Sequence, residues 1–200
     1  MKHRRSVSAA AASVLAAAML SSVPAASQTA PTLRPGELTP GDVALAVSRI
    51  PRFTPDRFVA LPPTVREAFA QINCQVPQTT LAGAPMNVVQ GEFAAKGQRD
   101  WAALCSNGTL AETRIVWGGE VRCEDRVGAL QESDAVIVRY PGDGVYTRVI
   151  AVATPAEIAR HIVRLGATLP EMPSHDGLED SSEGARLLYY CRAGRWTIVQ

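Results

Sequence analysis

The chain has 200 residues, 46% of them hydrophobic, and a formal net charge of +1. That length suits one domain with its own core. The near-neutral balance lacks the basic excess that nucleic-acid binding requires, and the longest apolar run falls short of the roughly 20 residues that span a bilayer.

Met1-Lys2-His3-Arg4-Arg5 forms a basic start, an Ala-rich apolar run follows to Leu20, and small residues fill Ser21 to Ser27. This order predicts a secretory signal peptide over 1–27, with cleavage near Ala25–Gln28 and export to the periplasm or beyond. No Cys follows the apolar run, so no lipid anchor is expected. The predicted mature chain of 173 residues loses Lys2, Arg4 and Arg5 and carries a net charge of −2, with no further candidate membrane span.

Gln28 to Pro40 is rich in Pro and Thr and lacks periodicity, so residues 28–40 are expected to be a flexible lead-in to a single domain at 41–200. Gly41 to Ile50 suits a short helix with Val43, Ala46 and Val47 inward. Thr64 to Asn73 places Val65, Phe69 and Ile72 on one helical stripe, with Arg66, Glu67 and Gln71 opposite. Pro63 favours its start and Pro77 prevents continuation.

Asn87 to Gly119 carries the densest strand signals. It predicts a three-strand meander over Asn87–Phe93, Trp101–Cys105 and Thr113–Gly118, with turns at Ala94–Asp100 and Ser106–Glu112. Alternation sends Trp101, Ala103 and Cys105 to one face, and separates Ile115 and Trp117 from Arg114 and Val116. Trp101 and Trp117 are expected to supply much of the core. Glu120 to Ser133 has no clear pattern. Ala135–Tyr140 and Val145–Val152 form a predicted hairpin around Pro141-Gly142-Asp143-Gly144. Thr154-Pro155-Ala156-Glu157 is a capping box with proline at the first helical position, opening a helix that Gly166 ends. Ile158, Ile162 and Leu165 should face inward, and Glu157, Arg160, His161 and Arg164 water. Ala167 to Ser182 reads as a polar loop, and Leu187–Cys191 and Arg195–Val199 as a closing hairpin around Arg192-Ala193-Gly194. The predicted class is α+β: a mostly antiparallel sheet of meander and hairpins with two or three short helices.

Cys74, Cys105, Cys123 and Cys191 make an even count in a chain expected to be exported, which predicts two disulfides. Three connectivities are open, and Cys74–Cys105 with Cys123–Cys191 is favoured. The alternative, a zinc site, lacks any C-x-x-C pair.

The most concentrated polar chemistry is Ser174 to Glu183. Asp176, Asp180 and Glu183 suit hard oxygen ligation of calcium, but without full EF-hand spacing. His175 beside Asp176 suits a general base with an orienting carboxylate, with Ser106 or Ser182 as nucleophile. Glu92 and Asp100 are a further carboxylate pair, set against pairing with Lys96 and Arg99. Tyr140, Tyr146, Tyr189, Tyr190 and Trp196 could line one binding face. No phosphate loop, dinucleotide fingerprint, thioredoxin motif or serine-hydrolase elbow is present, and no cofactor is expected.

A resemblance is carried by Cys74 to Gln78, by Asn87 to Phe93 with Gly97 to Cys105, and by His175 to Asp180 with Tyr189 to Trp196. Together they resemble a set of small exported bacterial proteins of unknown function with a GxFxxxGQxDWAxLC motif, over roughly Pro62 to Val199. The central segment also resembles one FG-GAP repeat of integrin-type propellers. Ala94, Ala95, Lys96 and Gln98 replace the calcium ligands of such repeats, so no ion is implied, and a propeller needs several blades. The resulting expectation is a non-catalytic exported domain that binds a protein or small ligand. Alternatives are a small hydrolase using His175 and Asp176, and a calcium module at Asp176–Glu183.

Overall fold

A computed structural model describes residues 38–79, 83–120, 123–166 and 172–199. The predicted signal peptide at 1–27 and the lead-in up to residue 37 lie outside the described residues. Helix α1 (Pro40–Ser48) starts inside the predicted lead-in, because Thr39 and Asp42 form a reciprocal capping box ahead of it. Ala46 and Val47 are its buried residues. Strand β1 (Arg52–Phe53) pairs with β2 (Val76–Pro77), and α2 (Pro63–Gln71) lies between them in sequence. Val65 and Phe69 of α2 are buried as predicted, but Ile72 is exposed: the helix stops at Gln71, before the stripe reaches it.

Strands β3 (Val88–Gly91), β4 (Asp100–Ser106), β5 (Leu110–Val116) and β6 (Arg126–Gln131) form one antiparallel sheet in that order. The meander is therefore present, with a fourth strand from the unpatterned segment. The turn after β4 is shorter than predicted, since Leu110 to Glu112 already belong to β5. The alternation holds. Ala102, Leu104 and Ile115 enter a central core with Phe93, Tyr146, Ile150, Leu178 and Tyr189, while Ala103 and Cys105 face a second core with Phe69, Val76, Phe58 and Leu61. Both faces of β4 are covered, and small alanines there let the layers approach. Trp101 and Trp117 go to opposite faces and remain only partly buried, so neither is the core's main mass.

The predicted hairpin is β7 (Val136–Tyr140) with β8 (Asp143–Tyr146). Its second strand does not continue to Val152. The chain changes sheets at Thr147-Arg148, and β9 (Val149–Ala153) pairs instead with β10 (Gly177–Ser182). The cause is Arg148, 2% exposed, whose side chain turns inward to Asp180. The sheet β12-β11-β10-β9 is completed by β11 (Ala185–Arg192) and β12 (Arg195–Val199). Strand β10 was predicted as loop: its inward residues are Leu178 and Asp180, and the second hides the apolar alternation.

Helix α3 (Pro155–Arg164) has the predicted capping box. Ile158 and Ile162 pack on Leu188 and Ala153, on the face of the second sheet away from the central core. Leu165 is exposed, because it is already the cap residue, and His161 is partly buried rather than facing water. The disulfides are Cys74–Cys105 and Cys123–Cys191. The class is α+β with antiparallel sheets throughout, and three helices and twelve strands among the described residues. No helix among those residues is long and apolar enough to cross a membrane.

Candidate ligand-binding site

The turn before β10 is docked on the loop after β3 by a reciprocal pair of hydrogen bonds. Glu92 N donates to Asp176 Oδ2 at 3.0 Å, and Asp176 N donates to Glu92 O at 3.2 Å. The loop after β3 is itself held from beneath. Asp100, fully buried, accepts from Ala94 N at 2.9 Å, Gln98 Nε2 at 2.7 Å and Gly118 N at 2.9 Å. Between these loops and the β11–β12 turn lies a cavity of about 300 Å³. Lys96, Ser174, His175, Tyr190 and Arg192 supply its polar lining, with Ala94, Ala95 and Met172 among its apolar walls.

His175 is the most constrained member. Its Nε2 lies 2.9 Å from Cys191 O, which can only accept, so Nε2 carries a proton. Its ring stacks on Tyr190 with centroids 4.5 Å apart. In the neutral ring Nδ1 is then an acceptor, and two hydroxyls compete for it at 3.2 Å each, Ser174 Oγ and Tyr190 Oη. Tyr190 Oη also accepts from Ser174 N at 3.1 Å. The carbonyl that orients the ring belongs to Cys191, whose sulfur is bonded to Cys123. The same segment is clipped a second time, since Trp196 Nε1 donates to Glu124 O at 2.8 Å and the Trp196 ring stacks on Trp117. The two-residue turn Ala193-Gly194 closes the hairpin with both residues at positive φ, 49° and 79°.

The residues singled out from the sequence are thus dispersed. Asp176 binds the Glu92 amide instead of orienting His175. Asp180 is buried in a bidentate pair with Arg148, Nε to Oδ1 at 2.9 Å and Nη2 to Oδ2 at 2.6 Å. Arg148 also donates to the carbonyls of Ala111 and Gly128. Burial opposes the Arg148 charge, but the hydrogen bonds and charge of Asp180 outweigh it and hold the guanidinium pKa above its ordinary value. Glu183 sits exposed in the β10–β11 turn. The three carboxylates proposed for calcium do not converge, and among the described residues no group of three or more His, Cys, Asp or Glu is placed to hold a metal ion.

Ser106 donates to the buried Glu132 carboxylate, which also pairs with Arg52, so it is no partner for His175. Ser182 ends β10, where it pairs with Ala185 across the hairpin. The hydroxyl beside His175 belongs to Ser174, which only the adjacency in sequence could have indicated. Asp100 serves the loop and not Glu92. The aromatic residues form no common face. Tyr146 and Tyr189 lie in the central core, where burial pushes both phenols above their ordinary pKa, while Tyr140 is exposed on β7. Only Tyr190 reaches the cavity. No protein-family model matches the chain, and no curated protein or solved structure matches it.

Proposed function

We propose that this is an exported, disulfide-stabilised binding domain whose site is the cavity between Lys96 and His175. The carrying observation is the cavity itself: a partly open, mixed polar and apolar hollow around an imidazole fixed at both nitrogens. The N-terminal pattern and the two disulfides support export to an oxidising compartment. The resemblance over Pro62 to Val199 supports the same compartment and implies no activity. A photo-crosslinking residue at Met172, which lines the cavity without donating to its occupant, tests this in the mature oxidised protein exposed to its own envelope extract. A discrete adduct at position 172, absent with the crosslinker at the 89% exposed Val59, is expected. Equal adducts at both positions would reject the cavity as the site.

A second reading, a small hydrolase, rests on Ser174 Oγ lying 3.2 Å from His175 Nδ1 while Cys191 O fixes Nε2–H. Here Ser174 Oγ would attack an acyl carbonyl as its proton passes to Nδ1. The tetrahedral oxyanion would collapse by breaking the bond to the leaving group as Nδ1 returns that proton to it, and water would then hydrolyse the acyl-serine. A fluorophosphonate probe separates the two: covalent labelling of Ser174 favours the hydrolase, and an unlabelled protein that retains crosslinking at position 172 favours the binding domain.

A further inference from the structure

Resting on the binding reading above, we infer that the cavity takes a carboxylate, with Lys96 and the Ser174 hydroxyl as its two donors. The inference comes from counting protons. His175 Nε2–H is committed to Cys191 O, so the neutral ring offers only the Nδ1 lone pair. Ser174 Oγ and Tyr190 Oη both lie 3.2 Å from Nδ1, and one lone pair takes one of them. Tyr190 Oη already accepts the Ser174 amide, which leaves its own proton to donate to Nδ1, and that bond is assigned to it. Ser174 is exposed, so its hydroxyl proton is the one left for a ligand.

Lys96 supplies the charge. It is exposed, lines the same cavity, and forms no ion pair or hydrogen bond among the described residues. It is also the only lysine beyond Lys2, in a chain whose other basic side chains, histidines aside, are all arginine. None of the described lining residues is acidic. Arg192, the other cation of the lining, already has an interaction of its own, so the two free donors and the one unpaired positive charge call for acceptor oxygens carrying one negative charge, which a carboxylate supplies. A volume of about 300 Å³ is at the small end for ligand sites, so the carboxylate belongs to a small acid or to the end of a peptide. Ala94, Ala95 and Met172 give a short apolar side chain a wall to rest on.

The solitary lysine makes the test specific. Reductive methylation with isotopic formaldehyde gives the mature protein one lysine side-chain NMR signal. That signal is followed during titration with acetate, N-acetyl-dialanine and the C-terminal amide of N-acetyl-dialanine. The expected result is saturable movement with the free carboxylate and binding at least about tenfold weaker for the amide. Amide resonances of unmethylated protein should move at residues 94–96, 174 and 190–194. In those experiments Ser174→Ala and Lys96→Ala should each weaken binding by about tenfold, while Lys96→Arg stays within about threefold of wild type. Tighter binding of N-acetyl-dialanine than of acetate identifies a peptide terminus; equal binding identifies a free small acid. Equal affinity for acid and amide, or no movement with any probe, overturns the carboxylate assignment. If crosslinking at position 172 persists in that case, the binding reading survives it; if crosslinking is also absent, both fall.

Discussion

Gly118 has less freedom than any other residue near the site. A Cβ there would come within 1.8 Å of Arg99 O, while its amide donates to Asp100. Gly118→Ala must therefore push the two strand ends apart and loosen the Asp100 carboxylate that holds the Ala94 loop. A loss of roughly 2 kcal/mol or more in urea unfolding is expected, and a change below about 0.5 kcal/mol would contradict the close approach. Arg148 is the second critical residue. Arg148→Met leaves Asp180 buried without its partner and should cost about 3–5 kcal/mol, whereas the double change Arg148→Met with Asp180→Leu should recover most of it. If the double variant is no more stable than the single one, the pair is not what the buried carboxylate needs. Asp180 also shows why part of the structure was illegible in the sequence. A carboxylate in an inward position reads as loop chemistry until its guanidinium partner, 32 residues away, is seen.

Elements whose ends are written locally were legible. The Thr154–Glu157 box starts α3 where predicted, and the Ala193-Gly194 turn closes β11 and β12 where predicted. Elements set by distant partners were not: β10 needs Arg148, β6 needs β5, and the split of Val145–Val152 needs two separate sheets. The caps give a pH prediction. Hydrogen bonds from Thr39 and Thr154 hold the Asp42 and Glu157 carboxyls below their ordinary values of 3.8 and 4.5. A depressed native pKa means the cap contribution is complete above those values and is lost as pH falls through the native ones. NMR titration of the Thr39 and Thr154 amides should give midpoints below 3.8 and 4.5 respectively, and midpoints above them would contradict the caps. At the last hairpin, Ala193 holds a left-handed conformation that asparagine tolerates better. Ala193→Asn should raise stability by roughly 1 kcal/mol in the same urea assay, and a loss would mean that the turn has another geometry.

At the scale of the whole molecule, two disulfides have different tasks. Cys74–Cys105 joins the end of α2 to β4 inside the second core. Cys123–Cys191 joins the segment after the meander to the hairpin that walls the cavity, and it fixes the carbonyl that orients His175. The cysteine count made two bridges legible but left three pairings, and this one is favoured because Cys74 ends a predicted helix beside the central strand and Cys191 lies on the predicted closing hairpin. The cavity was not, because it is assembled from residues 94–96, 172–175 and 190–194, which share no local pattern. The cavity should therefore depend on a bond that the sequence places far from Lys96. Crosslinking yield from position 172 in the Cys123→Ser/Cys191→Ser variant, compared with the intact protein at a temperature where both are folded, measures that dependence. The yield should fall by about tenfold or more, whereas an unchanged yield would mean that the site neither needs the bridge nor lies where His175 and Cys191 place it.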